Sequence, residues 1–264
     1  MIPKLEVRGV SCSYHRLEGE TLALSHIDFT IAAGEFLAVV GPSGCGKSTL
    51  LSLICGLLNP DEGEILLDGS SIQSPGASGR IGYMFQKDHL FEWRSILSNA
   101  CLGPELNGTF SPAVKNKISA MLSDYGLGMF LHSRPSELSG GMRQRAALIR
   151  TLATKPDLLL LDEPFSALDY QTRLEVSDDI STIIRTAGKT AILVTHDLSE
   201  AISIADRVLV LSDRLGQIKT IVPITFEAET GQTVHPLARR NLPEFAGYFN
   251  LLWKEIQNHE SCTA

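Results

Sequence analysis

Paired cysteines, long apolar runs and an excess of basic charge are all missing from this chain, and each absence closes off a class of protein. The 5 cysteines, Cys12, Cys45, Cys55, Cys101 and Cys262, show no C-x-x-C pair and no metal-ligand spacing. Neither a disulfide framework nor a zinc site is expected, and a reducing cytosol fits best. No apolar run approaches the ~20 residues that carry a helix across a bilayer. The opening residues, Met1-Ile2-Pro3-Lys4-Leu5-Glu6-Val7, hold no signal-peptide core, so the chain is expected not to span a membrane by itself. The formal net charge of −7 argues against nucleic acid as a partner, because phosphate backbones are met by basic faces. No internal repeat and no low-complexity segment is found.

What is present is an ordinary globular composition, 44% hydrophobic and 20% charged, in 264 residues. That length suits one large α/β domain or two small ones. The most informative stretch is Gly41-Pro42-Ser43-Gly44-Cys45-Gly46-Lys47-Ser48-Thr49. An apolar run, Phe36–Val40, precedes it and another, Leu50–Ile54, follows. The order is buried strand, glycine-rich turn, helix. Glycines let the backbone wrap closely around a phosphate with successive N–H groups pointing inward, and the helix adds its positive N-terminal end. Lys47 is placed to reach the β- and γ-phosphates of a nucleotide and the Ser48 hydroxyl to ligate Mg²⁺. Cys45, inside the turn, reads as a small space-filler, with a reactive thiolate beside positive charge as the alternative.

Further along, alternation between Leu5 and Ile31 with turn signals at His15–Gly19 predicts antiparallel strands. The helix after the turn is expected to end near Leu58–Pro60, followed by strands at Glu64–Leu67 and Ile81–Phe85. From Lys87 to Glu137 the apolar spacing turns helical, with a loop expected over Gly103–Pro112. Then come a helix over Ser139–Ala153, a strand at Leu158–Leu161, a helix over Tyr170–Ala187 and a strand at Thr190–Thr195. A last hairpin is expected from Val208–Leu211 and Gln217–Pro223. Alternating strands and helices imply a mainly parallel sheet. The expected organisation is an α/β core in residues 1–86 and 154–225, including an antiparallel β part. A helical insertion spans 87–153, and a tail spans 226–264 with helix-compatible pieces.

Two further motifs carry chemistry. Leu158-Leu159-Leu160-Leu161-Asp162-Glu163 is a strand apolar enough to be buried on both faces, ending in two carboxylates where ligands bind in parallel sheets. Asp162 is placed to hold Mg²⁺ and Glu163 to polarise an attacking water. Taken alone, the pair is equally a helix cap. In Leu138-Ser139-Gly140-Gly141-Met142-Arg143-Gln144-Arg145, Ser139, Gly140 and Gly141 open a helix and form a second anion site without a lysine. Taken alone, this reads as a simple N-capped helix. Two anion sites on one chain are reconciled by a symmetric dimer in which each closes on the nucleotide of the other copy.

In order and spacing these motifs resemble the ATP-binding subunit of ABC transporters, across nearly the whole chain. The resemblance implies a P-loop NTPase of the RecA-like type with a mainly parallel sheet, an N-terminal antiparallel β subdomain and a helical subdomain carrying the signature motif. It implies ATP hydrolysis with Mg²⁺. It implies that Tyr14 stacks on adenine, that Gln86 contacts Mg²⁺ and water, and that Ser166-Ala167-Leu168-Asp169 lies at a dimer seam. It implies that His196 contacts the γ-phosphate. Met142 departs from the glutamine that many relatives carry, and methionine donates no hydrogen bond. Asp162–Asp169, Gln171-Thr172-Arg173, Leu138–Arg145 and the region from Gln86 to Trp93 resemble importers of the nitrate/sulfonate/taurine type. Implied partners are a second copy, transmembrane permease subunits and, indirectly, a substrate-binding protein, with the chain peripheral at the cytoplasmic face. Leu90, Phe91 and Trp93 either receive a permease helix or pack within the insertion. Exporter-type and non-transport ABC ATPases are the alternatives, together with a kinase or GTPase that would leave Leu138–Gly141 and His196 unexplained.

Overall fold

A computed structural model describes residues 2–16, 19–213, 216–227 and 235–257. Strands β1 (Leu5–Arg16) and β2 (Gly19–Ile31) pair antiparallel. They are followed by β3 (Phe36–Val40), α1 (Lys47–Ile54), β4 (Glu62–Leu67), β5 (Ser70–Ser71) and β6 (Ile81–Met84). Helices α2 (Ile96–Ala100), α3 (Leu102–Leu106), α4 (Pro112–Asp124) and α5 (Gly140–Leu152) come next. The chain continues through β7 (Leu158–Asp162), α6 (Tyr170–Thr186), β8 (Thr190–Val194), α7 (Leu198–Ile204), β9 (Arg207–Leu211) and β10 (Ile218–Pro223). Helices α8 (Pro236–Arg239) and α9 (Pro243–Gln257) complete the described residues.

Two sheets result. One has the order β2-β1-β4-β5 and is antiparallel; the other has the order β10-β9-β3-β8-β7-β6 and is parallel except for the β9–β10 hairpin. Period-two side-chain alternation explains why the central strands are apolar throughout. Leu158 and Leu160 of β7 face a core shared with α1 and the antiparallel sheet, whereas Leu159 and Leu161 face a core shared with α2, α5 and α6. In β8, Ile192 and Val194 take the first side and Ala191 and Leu193 the second. Ala38 and Val40 of β3 meet α7 and α9 in a third core.

Differences from the sequence reading have local causes. Helix α1 stops at Ile54 rather than near Leu58. Gly56 adopts a left-handed backbone (φ 76°), its N–H bonds to Leu53 O, and the N–H of Leu57 bonds to Ser52 O, which is a Schellman closure. The loop expected over Gly103–Pro112 begins as helix α3, because Pro104 falls in the first turn, where its missing N–H is not needed. Strand β6 ends at Met84 and is half-buried, since it forms the sheet edge and Ile81 and Tyr83 keep partial exposure. Helix α7 was not anticipated; Asp197 caps it through the N–H groups of Ser199 and Glu200. The tail forms α8 and α9, with Leu252 buried against the third core. Leu17, Glu18 and Cys262 lie outside the described residues. No described helix is long and apolar enough to cross a membrane.

Two positions generate predictions. Gly63 in β4 has φ 82°, and a Cβ there would lie 2.3 Å from Arg8 O and 2.5 Å from Gly9 O. Gly63→Ala is expected to cost about 2 kcal/mol or more in urea denaturation, from backbone strain and the clash with β1; an unchanged midpoint would contradict this packing. Glu200 of α7 is 3% exposed, and burial pushes its carboxyl up to about 7 against the opposing hydrogen bond from Thr195. A carboxyl raised on folding contributes stability below the unfolded value near 4.5, and that stability is lost as pH rises to about 7. Glu200→Gln, uncharged throughout, is expected to lack this decline of roughly 1 kcal/mol per pH unit. Denaturation midpoints of the two proteins measured from pH 5 to 8 should therefore diverge up to about pH 7 and then run parallel.

Candidate active site

Strand β3 is buried along its whole length, so the turn that follows it, residues 41–46, emerges at the C-terminal end of the parallel sheet. Gly44 (φ 82°) and Gly46 (φ 96°) occupy left-handed conformations. A Cβ on Gly46 would sit 2.8 Å from Ala23 O, and one on Gly41 would sit 2.9 Å from Leu211 O. The turn is thus pressed between β2 and the end of β9, and glycine is the residue that fits. Lys47 is 8% exposed, and its Nζ donates to Gly41 O at 2.8 Å and Pro42 O at 2.7 Å. Cys45 is buried beneath the turn. Burial pushes its thiol up more than the nearby Lys47 pulls it down, which supports the space-filling reading over the reactive one.

A cleft of about 520 Å³ opens here. One wall is the turn itself, through Ser43, Gly44, Gly46, Lys47, Ser48 and Thr49; a second is Tyr14 with Thr21, Leu22 and Ala23; Glu163 and His196 complete it. The volume falls in the range of small-molecule sites. The Tyr14 hydroxyl lies 3.1 Å from Thr49 Oγ1, which ties β1 to α1. Residues from the turn, from β1 and from the ends of β7 and β8, distant in sequence, share this one cavity.

At the end of β7, Ser48 Oγ donates to Asp162 Oδ1 at 3.3 Å and the Tyr83 hydroxyl donates to Asp162 Oδ2 at 3.0 Å. Burial raises the Asp162 carboxyl, opposed by these two bonds, and burial next to Asp162 keeps the Tyr83 phenol protonated as a donor. A hydroxyl and a carboxylate held together at the end of β7 are hard oxygen donors of the kind Mg²⁺ takes. The donor set fits that ion. Glu163, next in the chain, holds a left-handed backbone (φ 43°) although it is not glycine. Its N–H still bonds to Val194 O at 2.9 Å, and its Oε2 lies 3.1 Å from His196 Nδ1.

Other expected site residues lie outside the cleft. Gln86 Nε2 donates to Ser166 Oγ at 3.1 Å, and Ser166 Oγ donates to Glu163 O at 3.0 Å, so Gln86 is fastened to the turn behind Glu163. Ser139 caps α5 by accepting from the Met142 N–H. A Cβ on Gly140 would lie 2.8 Å from Leu168 Cδ2 and one on Gly141 2.7 Å from Val176 Cγ2. These glycines bring α5 against α6 and do not line their own chain's cleft. Met142 packs on the apolar core of α5 and α6. Leu90 is buried in that core, whereas Trp93 is 73% exposed and stacks on Phe91 with ring centroids 4.7 Å apart.

Sequence reasoning missed Tyr83 and Thr21–Ala23. The period of β6 was a usable signal for Tyr83, which alternates with the buried Met84. No local signal pointed to Thr21–Ala23, whose position depends on β2 folding over the turn.

The match to known proteins follows the same residues. The family model "ABC transporter" matches residues 24–166. The chain is 42% identical over 256 residues to the uncharacterized ABC transporter ATP-binding protein YtlC of Bacillus subtilis (strain 168), covering 97% of this chain and 96% of that one. It is 40% identical over 239 residues to the taurine import ATP-binding protein TauB of Yersinia pestis bv. Antiqua (strain Antiqua), covering 90% and 93%. Among solved structures, the dimeric post-hydrolysis state of the ATP-binding cassette MJ0796 bound to ADP and Pi matches with TM-score 0.71 and 29% identity, covering 84% of this chain and 99% of that one. The glycine turn, the strand ending in Asp162-Glu163 and the Ser139-capped helix therefore stand in a chain that belongs to the ABC transporter ATP-binding family of ATPases.

Proposed function

We propose that this chain is the ATP-hydrolysing subunit of an ABC importer for a small solute of the nitrate, sulfonate or taurine class. The observation that carries the catalytic part is the convergence of the turn, Tyr14, Glu163 and His196 on one cleft. The importer part is supported by the taurine import relatives, 37% to 40% identical over at least 90% of this chain. Their cargo is theirs; that this chain serves the same class is the proposal.

In this reading Tyr14 packs against adenine, and the amides of residues 41–49 with Lys47 hold the phosphates. Lys47 exchanges the carbonyls of Gly41 and Pro42 for phosphate oxygens. Ser48, Gln86 and Asp162 would hold Mg²⁺, which would supply neutralisation of phosphate charge. Glu163 orients the attacking water and draws its proton, and His196, 3.1 Å from Glu163, keeps that carboxylate aimed. Positioning and charge neutralisation account for most of the rate in phosphoryl transfer. The strained backbone at Glu163 belongs to this picture, since about 1–3 kcal/mol is stored in such a conformation when the surroundings enforce it.

Ser139, Gly140 and Gly141 lie outside their own chain's cleft, so a second copy supplies them to close the site. The MJ0796 structures, described as dimeric, are the precedent. The exposed Trp93 stacked on Phe91 offers a permease subunit an aromatic contact, held by Arg143 to Asp88 and Glu92 and by Arg150 to the carbonyls of Asp88 and His89. The chain then sits at the cytoplasmic face of the membrane on its permease, with a substrate-binding protein on the far side.

Glu163→Gln is expected to retain ATP binding and lose turnover by about a hundredfold or more, because the residue acts in the transition state rather than on the ground-state nucleotide. Single-turnover hydrolysis and equilibrium binding separate the two, and full turnover in the variant removes the assigned role. Lys47→Ala is expected to weaken nucleotide affinity itself by about tenfold or more, from loss of a charge-assisted phosphate contact; an unchanged Kd would count against the turn as the phosphate site.

A further inference from the structure

We propose that Arg173 and Glu200 are positioning residues for His196, fastening the backbone on both sides of that histidine to the turn that follows Glu163. The inference rests on the reading that His196 and Glu163 act together in ATP hydrolysis.

The His196 ring is more than half exposed and meets Glu163 Oε2 at 3.1 Å. An exposed ring is aimed by its backbone, and that backbone is held on each side. Before it, Thr195 N–H bonds to Val39 O at 3.2 Å, and Thr195 Oγ1 donates to Glu200 Oε2 at 2.6 Å while accepting from Asp197 N–H at 3.0 Å. After it, Asp197 spends Oδ1 on capping α7 and leaves Oδ2 3.6 Å from Arg173 Nη1. Arg173 stands in the first turn of α6. Its Nη2 donates to Leu168 O at 3.0 Å, and its buried Nε, with no hydrogen-bond acceptor of its own, lies 4.0 Å from Glu200 Oε1. One guanidinium thus spans the turn 163–168, the cap of α7 and the buried carboxylate.

Packing alone does not call for this arrangement. Asp197 suffices to cap α7, and burying the Glu200 carboxyl beside the unpartnered Nε of Arg173 costs more than an apolar contact of similar size. What Arg173 supplies is direction, through one hydrogen bond to Leu168 O and approaches of 3.6 Å to Asp197 and 4.0 Å to Glu200. The planar fork of arginine bonds along several fixed lines at once, which an ammonium cannot reproduce. Leu168 belongs to the turn whose Glu163 end carries the catalytic carboxylate and whose Ser166 receives Gln86. Arg173 is therefore a strut between the backbone that carries Glu163 and the backbone that carries His196. Its loss should disturb their separation and leave Tyr14, Lys47 and the glycine turn in place.

The test uses the purified full-length chain with Arg173→Lys, Glu200→Gln, His196→Ala and the Arg173→Lys/His196→Ala double variant. Arg173→Lys keeps the charge and loses the fork. It is expected to lower kcat for MgATP about tenfold to a hundredfold, the scale of a small misplacement, with KM and nucleotide affinity within about twofold. In the His196→Ala background the same change is expected to add less than about twofold, because the strut then has nothing to aim. An equal loss in both backgrounds, or a loss of affinity with kcat unchanged, overturns the proposal. A second readout needs no turnover. Among the 7 histidines, the side-chain NMR signal of His196, identified by its disappearance in His196→Ala, should shift in Arg173→Lys and in Glu200→Gln. A His196 signal unmoved in both overturns the proposal even where activity is too low to compare. A wild-type chain that binds ATP and never hydrolyses it, alone or with a permease, would instead sink the underlying assignment of Glu163 and His196.

Discussion

The cleft depends on one close approach, that of strand β2 to the glycine turn. At Gly46 the distance available to a Cβ is 2.8 Å from Ala23 O and 2.7 Å from Leu24 Cδ2, so any side chain there pushes the antiparallel sheet off the parallel one. The same approach carries Thr21 to Ala23 into the cleft wall, and Tyr14, paired with Thr21 across the β1–β2 ladder, follows them to meet Thr49. Gly216, at the start of the β10 segment, extends the constraint; a Cβ on it would strike Ala23 O at 2.1 Å and Cys45 O at 3.0 Å. The turn is boxed by β2, by the β9 end and by the segment before β10. Its shape is imposed from outside as much as by its own sequence.

A second concentration of contacts lies in the turn after Glu163. Gln86 reaches it through Ser166, Arg173 through the Leu168 carbonyl, and His196 through the Glu163 carboxylate. The start of α5 reaches it through Gly140, which touches Leu168. Four segments drawn from the span Gln86 to His196 thus converge on the turn 163–168. The left-handed conformation at Glu163 is sustained by this crowding, since its N–H remains bound to Val194 O and its carbonyl accepts from Ser166. Packed elements of this kind shift between discrete arrangements rather than deforming smoothly.

What was legible in the sequence follows from range. The glycine turn, the apolar β7 run and the Ser139 cap are local signals, each decided within about ten residues; a helix follows the turn, and β7 and α5 begin within a residue of where the sequence places them. Gly56 was an equally local stop that went unread, which placed the end of α1 too far along. Helix α3 was hidden because Gly103 and Pro104 read as breakers, although a proline in a first turn breaks nothing. Tertiary consequences were not legible. That Gly141 serves the α5–α6 contact, that Thr21–Ala23 wall the cleft and that Arg173 meets Asp197 all depend on elements brought together from far apart. Glu200 looked like any charge on a short amphipathic helix, and only burial by surrounding elements separates it from a solvated one.

These two junctions bear on how two copies would influence each other in the proposed dimer. Gly140 and Gly141 fix the start of α5 against Leu168 and Val176 with no room for even a methyl group. When that helix start closes on the nucleotide of the other copy, the contact constrains Leu168 of its own chain, and Leu168 is where Arg173 is anchored. In the proposed dimer, engagement across the seam would in this way reach the Glu163–His196 pair on the near side. The influence is reciprocal by thermodynamic necessity: whatever binding at one cleft does to the partner's α5, the partner's α5 does to binding at that cleft. Met142 fits this arrangement without a side-chain hydrogen bond, because it packs on the apolar core beneath the start of α5.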